Sequence, residues 1–170
     1  RGAGLPVAPS VVVQPGEKPN FETITPPFIT KPVREDGSFG ITKDSVVKTP
    51  KDAEEQVALI HEQYKQAALV EEYIDGREVT IPVFGNPPRL LGIGEINFST
   101  LPANEPKIKS YEVKWDTNGP DLSTIFPADI EPPLRNRLER LALKAFQIMG
   151  CRDYARIDFR ISENRRPYIL

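Results

Sequence analysis

At 170 residues, with 39% hydrophobic and 27% charged side chains, the chain is long enough for one domain with a real core and has a globular composition. Its 22 basic and 24 acidic residues are spread along the whole length and leave a net charge of −2, so it lacks the basic stripe that a nucleic-acid partner requires. Cys151 is the single cysteine, which allows no internal disulfide and fits a reducing, cytoplasmic compartment; no apolar run approaches the ~20 residues that cross a bilayer, so no membrane partner is expected.

The first residues, Arg1-Gly2-Ala3-Gly4-Leu5-Pro6, include neither an initiator Met nor a signal peptide, and Pro167-Tyr168-Ile169-Leu170 reads as mid-strand. A piece of a longer polypeptide is therefore expected. Six of the 18 prolines lie in residues 6–27, which predicts an extended connector. Phe28-Ile29-Thr30-Lys31 is a short strand, Pro32 to Gly40 a turn around Asp36-Gly37-Ser38, and Gly40 to Val47 the returning strand. Thr49-Pro50-Lys51-Asp52 starts a helix with Thr49 as N-cap, and Val57, Ile60 and Tyr64 mark its inner face. His61 falls on the polar face and is expected to be solvated.

Ala68 to Ile74 is a strand that Asp75-Gly76 turns into a neighbouring strand, Arg77 to Phe84. After Asn86-Pro87-Pro88, Arg89 to Phe98 is a further strand, and residues 99–130 are loops around one short strand at Ser110 to Trp115. Pro132-Pro133 opens the second helix, with Leu134, Leu138, Leu141, Ala145 and Ile148 on one stripe and Gly150 as its end. Cys151 just beyond is expected to be a small buried hydrophobe. Tyr154 to Ile161 and Tyr168 to Leu170 are antiparallel strands around Glu163-Asn164-Arg165-Arg166. Two helices among mainly hairpin-linked strands predict an α+β fold.

Three segments carry candidate chemistry. Lys31 stands at a strand end beside the loop Gly37-Ser38-Phe39-Gly40, where one ammonium and several backbone N–H groups can face the same anion. An Asp-Gly hairpin turn would look the same. In Val70-Glu71-Glu72-Tyr73-Ile74-Asp75-Gly76-Arg77-Glu78, the carboxylates Glu71 and Glu78 flank the backbone of Tyr73 and Ile74, an edge suited to an adenine and a ribose, or a plain charged hairpin. In Tyr154-Ala155-Arg156-Ile157-Asp158-Phe159-Arg160, period two puts Arg156, Asp158 and Arg160 on one face, either a platform for a hard cation and a phosphoryl group or a surface ion-pair ladder. One histidine without an obvious nucleophile leaves no Ser/His/Asp arrangement, so a triad hydrolase is not expected.

The order of these segments, with Gly4-Leu5-Pro6-Val7 ahead of them, resembles the ATP-grasp superfamily and within it the D-alanine–D-alanine ligase group, over nearly the whole chain. The resemblance implies two α+β subdomains with mainly antiparallel sheets that grip ATP. Residues 1–25 would be a connector, 26–75 the small subdomain with the glycine loop, and 76–170 the large subdomain, continuing past Leu170 into a Glu-x-Asn metal motif. It also implies a ligase that joins a small-molecule carboxylate to an amine through an acyl phosphate, with ATP and Mg²⁺ (Mn²⁺ as substitute), and a homodimer in the full-length protein. Lys31 would bind phosphate, and Gly37, Ser38 and Phe39 would form the mobile loop over the triphosphate. Glu71, Tyr73 and Ile74 would recognise adenine and Glu78 the ribose. Lys114, in Tyr111-Glu112-Val113-Lys114-Trp115, would reach the γ-phosphate, Arg156 the acyl phosphate, and Asp158 the metal.

Trp115 and Gly37 depart from the tyrosine and serine that this group usually carries, and Trp115 either packs or lines the substrate pocket. Those departures bear on D-alanine as substrate rather than on the ATP chemistry. A ligase for another amino acid or peptide carboxylate, and a non-catalytic nucleotide-binding module, are the two alternatives.

Overall fold

Two hydrophobic clusters organise the chain, each built from its own sheet and helix. The computed structural model describes residues 3–115, 120 and 122–170; residues 1, 2, 116–119 and 121, part of the expected connector and of the expected loops at 99–130, lie outside the described residues. One unit comprises residues 8–73 and 99–122, and the other residues 1–7, 74–98 and 123–170.

In the first unit, strands β1 (Ser10–Val13), β2 (Phe28–Pro32), β3 (Val46–Val47) and β4 (Ala68–Glu72) form an antiparallel sheet in the order β1-β4-β2-β3. Alternation turns Phe28, Thr30, Ala68 and Val70 inward, where helix α1 (Pro50–Tyr64) meets them with Ala53, Val57 and Ile60. Thr49 caps α1 as its sequence position suggests, its Oγ1 accepting from the Asp52 amide at 3.2 Å. Ser10–Val13, inside the proline-rich stretch expected to connect, is proline-free with three successive β-branched valines and pairs along β4; Phe21 and Ile24 also enter the core. The returning strand is shorter than expected. Thr42 caps a 3-10 turn at Lys43–Ser45, and only Val46–Val47 pairs with β2.

The second unit has strands β5 (Gly76–Phe84), β6 (Arg89–Leu90), β7 (Gly94–Ile96), β8 (Thr124–Ile125), β9 (Tyr154–Ser162) and β10 (Pro167–Ile169) in the order β10-β9-β5-β7-β8, with β6 beside β5. The long antiparallel β5–β9 pair, in register from Gly76↔Ser162 to Phe84↔Tyr154, is its spine. Val79, Ile81, Val83, Phe159 and Ile161 face a cluster completed by Leu138, Ala142 and Phe146 of helix α3 (Pro132–Ile148). Full burial of a side chain of this size contributes about 1.5–3 kcal/mol, so this layer holds β9 firmly in place. Gly150, at φ +67°, ends α3: its N–H donates to Gln147 O and that of Cys151 to Phe146 O, both at 3.0 Å. Cys151 packs against the core but is half-buried rather than buried.

Several expectations are corrected. Segments 68–74 and 77–84 do not form a hairpin: β4 pairs with β1 and β2, whereas β5 pairs with β9. Gly76, at φ +143°, starts β5 so close to β9 that a Cβ would sit 2.0 Å from Ile161 O. Expected strand 89–98 is broken at Gly92, whose φ of +123° and the nearby Phe126 ring separate β6 from β7. Ile148 is exposed, and Ala142 and Phe146 take the inner stripe. His61 is half-buried with Nε2 3.0 Å from Val13 O, because β1 runs past α1. Tyr111–Trp115 is helix α2 rather than a strand, with Ser110 Oγ accepting from the Val113 amide at 3.4 Å.

Candidate active site

In the first unit the face of the sheet opposite α1 carries Ile29, Lys31, Leu69 and Glu71. Ile29 lies directly across from Glu71 and Lys31 across from Leu69, so Lys31 and Glu71 are diagonal neighbours. Their side chains form an ion pair at 2.5 Å and are 23% and 16% exposed, which makes them a largely desolvated pair rather than a surface one. An ammonium has three N–H donors. With one engaged by Glu71, donors remain for an anion above the sheet. Tyr73, just past β4, donates its amide to Pro27 O at 2.8 Å, so that amide is not available to an adenine in this structure. Ile74 begins the second unit.

The glycine loop leaves β2 through two overlapping turns, with the Phe39 amide bonded to Asp36 O and that of Ile41 to Ser38 O. Gly37, Ser38 and Gly40 have φ values of +63°, +69° and +75°, so the loop concentrates left-handed backbone. Segment 109–115 holds it. Ser38 Oγ donates to Lys109 O at 2.7 Å, Trp115 Nε1 donates to Gly37 O at 3.0 Å, and the Phe39 ring meets Tyr111 edge-on at 5.0 Å. Lys114 Nζ lies 5.4 Å from the Trp115 ring and 3.7 Å from where a Cβ on Gly37 would be. The structure thus brings Gly37, Ser38, Phe39 and Lys114 together, and it assigns Trp115 a definite contact. Lys109, through its carbonyl, and Tyr111, through its ring, are neighbours that the sequence pattern did not single out, because they meet the loop from about 70 residues further along the chain.

In the second unit, the face of the β5–β9 pair away from α3 carries the row Glu78–Arg160, Thr80–Asp158, Pro82–Arg156. Arg160, 4% exposed, pairs with Glu78 at 3.0 Å, and its guanidinium lies 5.5 Å from the Phe98 ring. Arg156 grips Asp158 in two-point fashion, Nε to Oδ1 and Nη2 to Oδ2 at 2.9 Å each. That hydrogen bonding with Asp158 raises the Arg156 pKa above its usual value despite partial desolvation. Thr80 Oγ1, between these pairs, is buried and has no hydrogen-bond partner among the described residues. Period two identified Arg156, Asp158 and Arg160 but not Glu78 or Thr80 as their neighbours, because that depends on the β5–β9 register.

Among the described residues no group of three or more His, Cys, Asp or Glu side chains could cage a metal. Mg²⁺ does not need such a cage, since it commonly takes one or two carboxylates together with substrate phosphates and water. Asp158, with a side chain 30% exposed, fits that mode as a single carboxylate ligand. Among the described residues no helix is long and apolar enough to cross a membrane.

A family model described as the D-ala D-ala ligase C-terminus matches residues 1–170. A D-alanine–D-alanine ligase from Trichlorobacter lovleyi is 36% identical over 171 residues, covering 99% of this chain and 50% of the relative. Among solved structures, the D-alanine–D-alanine ligase from Bacillus anthracis complexed with ATP is similar with a TM-score of 0.73 at 20% identity, covering 100% of this chain and 50% of that one. The VanG D-Ala:D-Ser ligase from Enterococcus faecalis gives 0.72 at 24% identity, covering 98% and 47%. The chain spans about half the length of the relatives it matches. From the whole-length match and the shared antiparallel α+β architecture, the chain belongs to the D-alanine–D-alanine ligase C-terminal family of the ATP-grasp fold.

Proposed function

We propose that the protein carrying this chain is an ATP-dependent ligase that joins the carboxylate of one D-amino acid to the amine of another through an acyl phosphate, with D-alanine as the first substrate to test. The observation that carries this reading is the whole-length family match, on a chain where Lys31, Lys114, Arg156 and Asp158 stand at structured positions.

Each residue has a task its chemistry suits. Lys31 presents its remaining N–H donors to phosphate oxygens while Glu71 fixes the direction of its side chain. Glu71, Tyr73 and Ile74 border the adenine, Tyr73 through its carbonyl and Ile74 through its backbone, and Glu78, anchored by Arg160, accepts from ribose hydroxyls. Gly37, Ser38 and Phe39 cover the triphosphate and exclude the water that would hydrolyse an acyl phosphate. Lys114 neutralises charge on the transferring phosphoryl group, and Arg156 holds the acyl phosphate through the part of its guanidinium that Asp158 does not occupy. Asp158 would hold a Mg²⁺ bound to the phosphates; the ion supplies positive charge to the γ-phosphoryl oxygens.

In the overall change the carboxylate oxygen attacks the γ-phosphorus and ADP leaves; the amine then attacks the acyl carbon and phosphate leaves with that oxygen. An amino acid labelled with ¹⁸O in its carboxylate, turned over with Mg²⁺-ATP by the intact protein, should therefore place one ¹⁸O in the released phosphate. Phosphate free of label would rule out the acyl-phosphate route. A second reading, a ligase for a different amino acid or peptide carboxylate, is favoured by Trp115 and Gly37 standing where this group usually carries a tyrosine and a serine. Mass spectrometry of the product separates the two.

A further inference from the structure

Thr80 is the one side chain with a polar atom in the β5–β9 row for which the tasks above give no use. It lies directly across from Asp158 on β9 and from Gly94 on β7. Its Oγ1 is buried without a hydrogen-bond partner among the described residues, where a valine of the same shape would leave no polar atom unsatisfied. The methyl has a clear place. A Cβ on Gly94 would lie 3.3 Å from Thr80 Cγ2 and 2.8 Å from Thr124 Cγ2, so the absence of a side chain at Gly94 makes room for the two methyls. Packing thus explains half of the threonine and leaves the hydroxyl unexplained.

The neighbours on this face narrow the choice of acceptor. Pro82, next along β5, offers no side-chain acceptor, and the Glu78 carboxylate is held by buried Arg160. Asp158 remains. In this structure both of its oxygens face Arg156, yet an ionised carboxylate has about four acceptor positions, so it can take a further donor.

We propose that Thr80 is a positioning residue for Asp158: as the carboxylate turns from Arg156 toward a phosphate-bound divalent cation, the Thr80 hydroxyl donates to it and fixes its orientation. The Nε and Nη2 donors that Asp158 occupies in this structure then join the rest of the Arg156 guanidinium in facing the acyl phosphate. The proposal rests on the reading of Asp158 as a cation ligand, and its test separates the two.

Mn²⁺ binding is measured by electron paramagnetic resonance on the intact protein saturated with ADP, for the parent, Thr80→Val, Thr80→Ser and Asp158→Asn. ADP affinity without cation and thermal unfolding are measured alongside. Thr80→Val should weaken Mn²⁺ binding by about 10-fold, the lower end of what loss of a ligand's hydrogen-bond partner costs. It should leave cation-free ADP affinity unchanged and the unfolding temperature no lower than the parent's. Thr80→Ser, which keeps the hydroxyl, should bind Mn²⁺ like the parent, and Thr80→Ala serves as the hydroxyl-free variant if valine disturbs the packing. If Asp158→Asn loses Mn²⁺ affinity while the hydroxyl-free Thr80 variants keep it, the role of Thr80 is wrong and that of Asp158 stands. Undiminished Mn²⁺ binding by Asp158→Asn would overturn both.

Discussion

Arg160 and Glu78 show how a single pair can serve both the fold and the site. The guanidinium is almost wholly buried, donates to Gly76 O at 3.3 Å as well as to Glu78, and lies against Phe98. Removal of one partner of a buried pair leaves the other charged without compensation, at a cost of about 3–5 kcal/mol. Arg160→Leu should therefore lower the urea unfolding free energy by that order, and adding Glu78→Gln should recover part of it. Lys31 and Asp158 carry predictions about function instead. Lys31→Met should weaken ATP binding by about 10-fold, the loss of roughly one charge-assisted hydrogen bond, as read by calorimetry. Asp158→Asn should abolish Mg²⁺-dependent turnover while ADP still binds; equal loss of both would argue against its assigned task. Alternation along β9 makes Arg156, Asp158 and Arg160 visible in the sequence. It does not say which carboxylate each arginine meets, since Arg156 turns to a neighbour on its own strand and Arg160 to one on β5.

The glycine loop and its clasp belong to the scale of elements. Gly40, at φ +75°, leaves no room for a side chain: a Cβ would lie 2.4 Å from Pro32 Cγ and 3.1 Å from the Tyr64 ring. Gly40→Ala should destabilise the first unit by about 1–3 kcal/mol from backbone strain alone, measurable as a lower unfolding midpoint. Trp115→Phe keeps a ring but deletes the donor to Gly37 O, so amide exchange in residues 37–40 should quicken while the unfolding midpoint stays near the parent's. Lys31 and the loop were legible from an Asp-Gly turn next to a strand end. The clasp was not, because Tyr111-Glu112-Val113-Lys114-Trp115 alternates over five residues as a strand would, whereas the segment is a single helical turn closed by the Lys114 amide on Ser110 O. The supposed 68–84 hairpin failed for a related reason. Asp75-Gly76 is a good turn pair locally, whereas strand pairing is decided by a β9 that lies some 80 residues further on.

For the molecule as a whole, the α+β class and both long helices followed from caps, periodicity and proline placement. The grouping of residues 99–122 with 8–73 did not, since that stretch has no period and its place comes from contacts distant in sequence, such as Ser38 with Lys109 and Ile41 with Tyr111. The family match spans the whole chain, and the proposed phosphoryl transfer to a carboxylate draws on residues that each unit holds separately, the lysines and glycine loop in one and the Arg156–Asp158 pair in the other. ATP-dependent phosphate release by the intact protein with Mg²⁺, with and without D-alanine, tests this most directly. The account predicts release that rises when D-alanine is added, with a D-alanyl dipeptide as product. Bound ATP with phosphate release indifferent to D-alanine and to every other amino acid offered would contradict it.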